Sequence, residues 1–223
     1  MNEGVDNRLR AIIMCKAPVA GRVKTRLTPP YSADEATDIY RAMAETVIER
    51  TSSMFSNVCI ASDDVSHPFF EPFGLNMIDQ GEGDLGDRMS RLMQQTFNDG
   101  ADSVLFLGTD SPHMPNSRLK RAAALLANYD VVIGPVEDGG YDLIAMNQPY
   151  LELFNTIRWS SEHVLQETLQ HVEKLDLKLK LLDMSYDLDT PESLHRAASI
   201  WNAPTSLPEK YLENEVLDAG YPD

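Results

Sequence analysis

The chain has 223 residues, enough for one α/β domain to bury a full core, so a single domain is the expected organisation. Hydrophobic residues make up 43% of it and charged residues 24%, a balance that excludes a disordered chain. With 35 Asp plus Glu against 19 Lys plus Arg, the net charge of −16 repels polyphosphate backbones, which argues against a nucleic-acid partner or an anionic membrane surface.

The first residues, M-N-E-G-V-D-N-R, are polar with no apolar targeting core, and no apolar run approaches the ~18 residues that span a bilayer. A cytoplasmic protein without stable membrane insertion is therefore expected. Residues 9–15 form an apolar run, expected as a buried first strand. Pro18, Gly21, Pro29 and Pro30 then punctuate a long loop. Ser32 and Glu35 make a capping box opening a helix to about residue 52, with Ala36, Ile39, Tyr40, Met43, Val47 and Ile48 on one face. Residues 57–61 and 75–78 read as strands. Residues 81–86 read as a turn into a helix whose Leu85, Met89, Leu92, Met93 and Phe97 face inward.

Residues 103–107 are the clearest strand, stopped by Gly108-Thr-Asp-Ser-Pro112. A helix over 115–127, strands at 131–133 and 141–146, a helix over 159–172 and a strand at 177–182 follow. Thr190 and Pro191 start a last helix as N-cap and first helical residue. Residues 1–201 are read as the domain and 202–223 as an acidic, Pro-containing tail with one short helix near 209–217. Cys15 and Cys59 lie in strands, lack His or Cys neighbours at ligand spacing, and read as buried reduced thiols.

Strands alternating with helices predict a single α/β domain with a mostly parallel sheet covered on both faces. Ligands of such sheets bind outside the carboxyl ends of the strands, so the loops after Cys15, Ala61, Leu107, Ile133 and Leu182 are the ones to examine. The first of them holds Lys16, Arg22, Lys24 and Arg26, four cations in a chain short of them, with Gly21 allowing close backbone approach. The spacing of a Walker A motif is absent. Asp110, after the clearest strand, is placed to hold a hard divalent cation against phosphate oxygens, or to close an ordinary turn with Pro112. Asp63 or Asp64, after the second strand, is a ribose or base contact or a surface turn.

Glu137-Asp138-Gly139-Gly140-Tyr141 is either a ligand-approaching turn or a plain hairpin turn, with Asp138 as an acceptor contact or base. Asp187 and Asp189 fall on one side of an extended segment, giving further metal contacts or helix N-terminal charge. Tyr141 and Trp159 offer aromatic faces and Ser160 a hydroxyl to a sugar or acceptor, or serve as core and helix-entry residues.

Six segments carry a family resemblance: K-A-P-V-A-G-R-V-K-T-R-L at 16–27, L-G-D-R-M at 85–89, G-T-D-S-P at 108–112, G-P-V-E-D-G-G-Y at 134–141, W-S-S at 159–161 and D-L-D-T-P-E at 187–192. In this order, over roughly residues 9–198, the chain resembles a family of small bacterial proteins classed with the GT-A-type glycosyltransferases. It is similar, more distantly, to guanylyltransferases of molybdenum-cofactor and phospholactate metabolism. The resemblance implies the three-layer, Rossmann-like GT-A (nucleotide-diphosphosugar transferase) fold and a divalent metal, Mg²⁺ or Mn²⁺, at Asp110. Ser193 departs from the Asp common there, as Asp142 does from the aromatic common after D-G-G-Y.

The expected function is metal-dependent glycosyl transfer from a nucleotide sugar to a small-molecule acceptor. Nucleotidyl transfer from a nucleoside triphosphate to a phosphorylated acceptor is the alternative, and a non-catalytic nucleotide-binding module is a third reading.

Overall fold

The computed structural model describes residues 8–212, so the polar first residues and the predicted helix beyond residue 212 fall outside it. Seven strands, β1 (Leu9–Met14), β2 (Val58–Ser62), β3 (Asn76–Asp79), β4 (Ser103–Gly108), β5 (Val131–Pro135), β6 (Tyr141–Met146) and β7 (Leu179–Leu181), form one sheet in the order β3-β2-β1-β4-β6-β5-β7. Every neighbouring pair is parallel except those of β6, which runs antiparallel to both β4 and β5. Alternation along β1 sends Ala11 and Ile13 into the core on one face and Ile12 into the core on the other.

The first face is covered by α1 (Ala33–Met54) and α3 (Asn116–Leu125), through Tyr40, Val47 and Leu119. The second is covered by α2 (Leu85–Asn98) and α4 (Val164–Lys174), through Met89, Leu92 and Val172. The result is the expected single α/β domain with a mostly parallel sheet. Among the described residues, no helix is long and apolar enough to cross a membrane.

Helix starts follow local chemistry. The predicted box of Ser32 and Glu35 caps α1, and a second box, unread in the sequence, joins Asp84 and Asp87 at the start of α2. The helix expected from residue 159 begins instead at Val164, because Ser160 sits at φ 60, outside any right-handed helix.

A third apolar cluster lies on the outer face of α1. Ile39 and Met43 meet Leu27 of the first loop, Leu188, and Leu194 of α5 (Pro191–Ala197). Trp201, Leu207 and Tyr211 are buried in the same cluster, and Tyr31 donates its hydroxyl to the Tyr211 carbonyl at 3.0 Å. Ala203, Leu207, Tyr211 and Leu212, in the segment expected as a tail, thus pack in one cluster with α1 and with Leu27 of the first loop. Cys15 and Cys59 are free and buried, and burial pushes their thiols up to about 12 and about 11.

Candidate functional site

The loop after β1 is fixed from three sides. Asp63, just past β2, accepts from the Ala17 N–H at 2.7 Å and from Arg22 at 3.0 Å. Tyr40 donates to the Lys16 carbonyl at 3.0 Å, and Leu27 is anchored in the third cluster. Asp63 therefore anchors the loop, and Asp64 closes a local turn onto Ser66, the turn being one of the two readings the sequence offered. Gly21 adopts φ 76, a left-handed turn conformation, with no protein atom within 4 Å of where its Cβ would be. Lys24 is left-handed at φ 48, a conformation that costs a non-glycine residue ~1–3 kcal/mol and clusters at ligand sites.

That strain aims Lys24 into a carboxylate pair. Its side chain is 4% exposed, and Nζ lies 2.7 Å from Oδ1 of Asp110 and 2.7 Å from Oδ1 of Asp189. Burial works against the ammonium, but the two carboxylates outweigh it and raise its pKa. Burial likewise opposes the Asp189 carboxylate, and Lys24 then draws its pKa below the ordinary value. Arg26 reaches the other oxygen of Asp189 at 3.4 Å. Leu188 makes the meeting possible: it is buried beside Leu27, and its N–H donates to the Asp110 carbonyl at 2.8 Å.

The Asp110 loop is itself held by Arg50 of α1, which donates to the carbonyls of Pro112 (2.8 Å), Met114 (2.6 Å) and Ser111 (3.4 Å). Burial lowers the Arg50 pKa to about 10. Sequence reading passed over Arg50, whose place in α1 gives no local signal. Arg50→Ala is expected to cost about 2–3 kcal/mol by stranding these carbonyls, read as a lower midpoint in urea unfolding.

The three carboxylates expected to share a metal are divided among other partners. Asp189 is engaged by Lys24 and Arg26, and Asp187 accepts from Ser111 Oγ at 2.6 Å. Among the described residues, no group of three or more His, Cys, Asp or Glu is arranged to hold a metal ion. Asp110 differs: its side chain is 45% exposed, and its Oδ2 has no protein partner among the described residues. One free carboxylate oxygen suits Mg²⁺ or Mn²⁺ arriving with phosphate ligands, the way such ions are commonly bound.

Burial, then the neighbouring Asp110 charge, pushes Asp187 up to about 7 from an ordinary 3.8. Its folded pKa is raised, so its contribution to stability is fully present below about pH 4 and lost as pH rises through about 7. Asp187→Asn is expected to flatten the fall in stability between pH 4.5 and 8, measured by urea unfolding across that range.

The D-G-G-Y turn is mostly structural. Asp138 Oδ1 accepts from the Gly140 N–H at 2.9 Å, the hairpin-turn arrangement that was one of its two readings, and the residue is outside the cleft lining. Gly139, at φ 88, has no room for a Cβ, which would collide with the Glu162 carbonyl. Its own carbonyl accepts from Leu165 N–H at 2.8 Å. Gly139 and Gly140 therefore serve chain packing and lie outside the cleft lining.

Tyr141, Trp159 and Ser160 do line the cleft, but the two rings pack on each other and Trp159 also packs on Phe154. The Tyr141 hydroxyl and Trp159 Nε1 are buried, so the rings form a wall and present no polar atom to a ligand. Trp159 Nε1 would lie 2.6 Å from a Cβ on Gly86, which fixes glycine in the L-G-D-R-M segment. Asp142 turns away to Arg118, as the extra residue of a bulge between Tyr141 and Leu143.

What remains is one cleft of about 750 Å³ at the carboxyl ends of β1 and β4, of the size that takes small-molecule ligands. Lys16, Arg22, Lys24, Arg26, Asp110 and Asp189 line one part of it. Gln80, Asp84 and Arg88 line another, with Arg88 donating to Gln80 at 3.2 Å and to the Gly83 carbonyl at 3.0 Å. These partners are neutral, so Arg88 keeps its full charge in the cleft. Its one signal in the sequence is its place in the L-G-D-R-M segment.

This sheet and rim define the class: a nucleotide-diphosphosugar transferase fold. The chain belongs to the family described as an uncharacterized protein conserved in bacteria (DUF2064), whose model matches residues 32–161, over half of its length. That match includes Asp110 and the D-G-G-Y turn but neither the first loop nor Asp189. A structure from Desulfovibrio desulfuricans G20, provisionally described as a nucleotide-diphospho-sugar transferase, superposes with a TM-score of 0.83 at 28% identity, over 95% of this chain and 94% of that one. A 2-phospho-L-lactate guanylyltransferase from Methanosphaera stadtmanae is 25% identical over 185 residues, 77% of this chain and 76% of that protein. A cytidylyltransferase from Leptospira borgpetersenii shares the fold with a TM-score of 0.59 at 16% identity, over 95% and 92% of the two chains.

Proposed function

We propose that the protein is a nucleotidyltransferase, moving a nucleoside monophosphate from a nucleoside triphosphate to a phosphorylated small molecule. The observation that carries this reading is the gathering of Lys16, Lys24, Arg26 and Arg88 around Asp110 in one cleft of a chain with net charge −16. Lys24 and Arg26 offset Asp110 and Asp189, and Lys16 and Arg88 add cations beyond that balanced group, a local concentration of positive charge that suits a polyphosphate. The guanylyltransferase relative, matched over about three quarters of both lengths, supports the same reading.

In this mechanism Lys16 and Arg26 bind the β- and γ-phosphates and stabilise the charge that develops there. An oxygen of the acceptor's phosphate attacks the α-phosphorus, the bond from the α-phosphorus to the α–β bridging oxygen breaks, and pyrophosphate leaves with that oxygen. Lys24, swung from its carboxylates, meets the charge on the phosphates. Asp110 would hold a divalent cation, Mg²⁺ or Mn²⁺, which supplies Lewis-acid charge neutralisation when bound. The aromatic wall of Tyr141 and Trp159 keeps water from one side of the cleft.

Glycosyl transfer from a nucleotide sugar to a small-molecule acceptor is the second reading, favoured by the 28% identical structural relative. The buried polar atoms of Tyr141 and Trp159 weaken it, since those groups were its sugar contacts. Phosphorus NMR of reaction mixtures separates the two. Nucleotidyl transfer releases pyrophosphate from a triphosphate plus a phosphorylated acceptor, whereas sugar transfer releases a nucleoside diphosphate. Nucleoside diphosphate from a nucleotide sugar, with every triphosphate inert, would replace the first reading by the second.

A further inference from the structure

Lys24 is set apart from the other cleft cations by where its charge goes. Its side chain is 4% exposed, against 67% for Arg26, and Nζ bridges two carboxylates carried by separate parts of the chain. The loop after β1 supplies the lysine, the loop after β4 supplies Asp110, and the segment before α5 supplies Asp189. Lys24 and Arg26 carry two positive charges against the two negative charges of Asp110 and Asp189, so the group is balanced with no metal present. A free divalent ion bridging Asp110 and Asp189 would have to displace the ammonium and leave it buried without a partner, and one on the open Oδ2 of Asp110 alone would find a single anionic oxygen beside that ammonium. It would also add two positive charges to a cleft that already holds Lys16, Arg22 and Arg88. A nucleotide's phosphates remove both obstacles, because they offer anionic oxygens to the metal and to the released lysine together. Lysine's flexible four-carbon stem allows Nζ to change partners while the left-handed backbone stays fixed.

We propose that Lys24 is an internal counter-cation that holds Asp110 and Asp189 closed to free divalent ions, so that the protein takes up metal only together with a polyphosphate. The proposal rests on the reading of the cleft as a nucleotide site, and it makes Lys24 a selector for the metal–nucleotide complex. Metal alone neither loads nor opens the cleft.

The test is a titration of Mn²⁺ into the full chain, with unbound Mn²⁺ followed by electron paramagnetic resonance and no nucleotide present. Wild type is expected to bind Mn²⁺ at least about tenfold more weakly than Lys24→Met, which keeps the unbranched stem as far as Cε and removes the charged end. Lys24→Met combined with Asp110→Asn is expected to lose that gain, which places the new ion at Asp110. Adding a nucleoside triphosphate to wild type is expected to hold Mn²⁺ on the protein, read by equilibrium dialysis against the same Mn²⁺–nucleotide mixture because the triphosphate alone also removes the free-ion signal. Tight Mn²⁺ binding by wild type that a nucleotide does not change would overturn the proposal. So would a folded Lys24→Met that gains no affinity. If Lys24→Met does not fold, Lys24→Gln takes its place and the wild-type titration still decides. A gain of Mn²⁺ affinity in the lysine variant, with no nucleotide bound by wild type under any condition, would retain the counter-cation and remove the nucleotide reading.

Discussion

Asp110→Asn is expected to weaken nucleotide binding in the presence of Mg²⁺ or Mn²⁺ by at least about 100-fold, or about 2.7 kcal/mol, while the melting temperature hardly moves. Asp110 lies just past the end of β4 with its side chain 45% exposed, and the loop is held by its neighbours' backbone contacts to Arg50 and Leu188. The substitution removes an anionic oxygen and little packing. Lys24 retains Asp189 as a partner, so no buried charge is stranded. The loss falls on binding because a hard cation needs an anionic oxygen, and the chain's net charge otherwise repels the phosphates. Isothermal calorimetry with a nucleoside triphosphate measures it. Equal affinity for wild type and variant would exclude Asp110 from the site.

Arg118→Met is expected to destabilise the fold by about 3–5 kcal/mol at pH 8, the cost of leaving a buried charge without its partner. Arg118 and Asp142 side chains are only 9% and 2% exposed, and the guanidinium grips both carboxylate oxygens at 3.1 and 3.2 Å. Arg118 also donates to the Asp183 carbonyl at 2.6 Å, tying α3 to the chain beyond β7. Gly134 is glycine for this pair, since a Cβ there would run into Asp142 and come within 2.8 Å of Arg118.

Burial pushes Asp142 up to about 6 even with Arg118 beside it. Its proton-linked contribution is therefore present below about pH 4 and lost as pH rises through about 6, so the variant is hurt less at pH 5, where a neutral carboxyl needs no counter-charge. Adding Asp142→Asn to Arg118→Met is expected to recover part of the loss at pH 8. Urea unfolding of the two variants at pH 5 and 8 checks both statements.

The strands and the α1 cap were legible because their signals are local: apolar runs at β1 and β4, and Ser32 with Glu35 three residues on. The meeting of Lys24, Arg26 and Asp110 in one cleft was also legible, since parallel strands send the loops after β1 and β4 to the same rim. The insertion of antiparallel β6 between β4 and β5 was not, because strand order depends on pairing that an apolar run does not encode. At Asp138, Gly139 and Asp63 a ligand contact and a turn both stayed open in the sequence, since a turn or loop anchor uses the same residue types as a binding site. Only the partners Gly140, Glu162 and Ala17 tell the roles apart. The burial of Leu207 and Tyr211 on α1 was hidden in a segment whose Pro and acidic residues suggested a tail. Gln80 reaches the cleft through tertiary packing alone, and the L-G-D-R-M segment marked Arg88 without giving it a role.

The central claim is that this cleft binds a nucleotide polyphosphate at the first loop and Asp110. A crystal structure with a non-hydrolysable nucleoside triphosphate and Mg²⁺ tests it most directly. The expected result places the phosphates against Lys16, Lys24 and Arg26, with the metal on Asp110 and Lys24 drawn from its two carboxylates. A triphosphate seated away from this rim, with Lys24 still bridging Asp110 and Asp189, would contradict it.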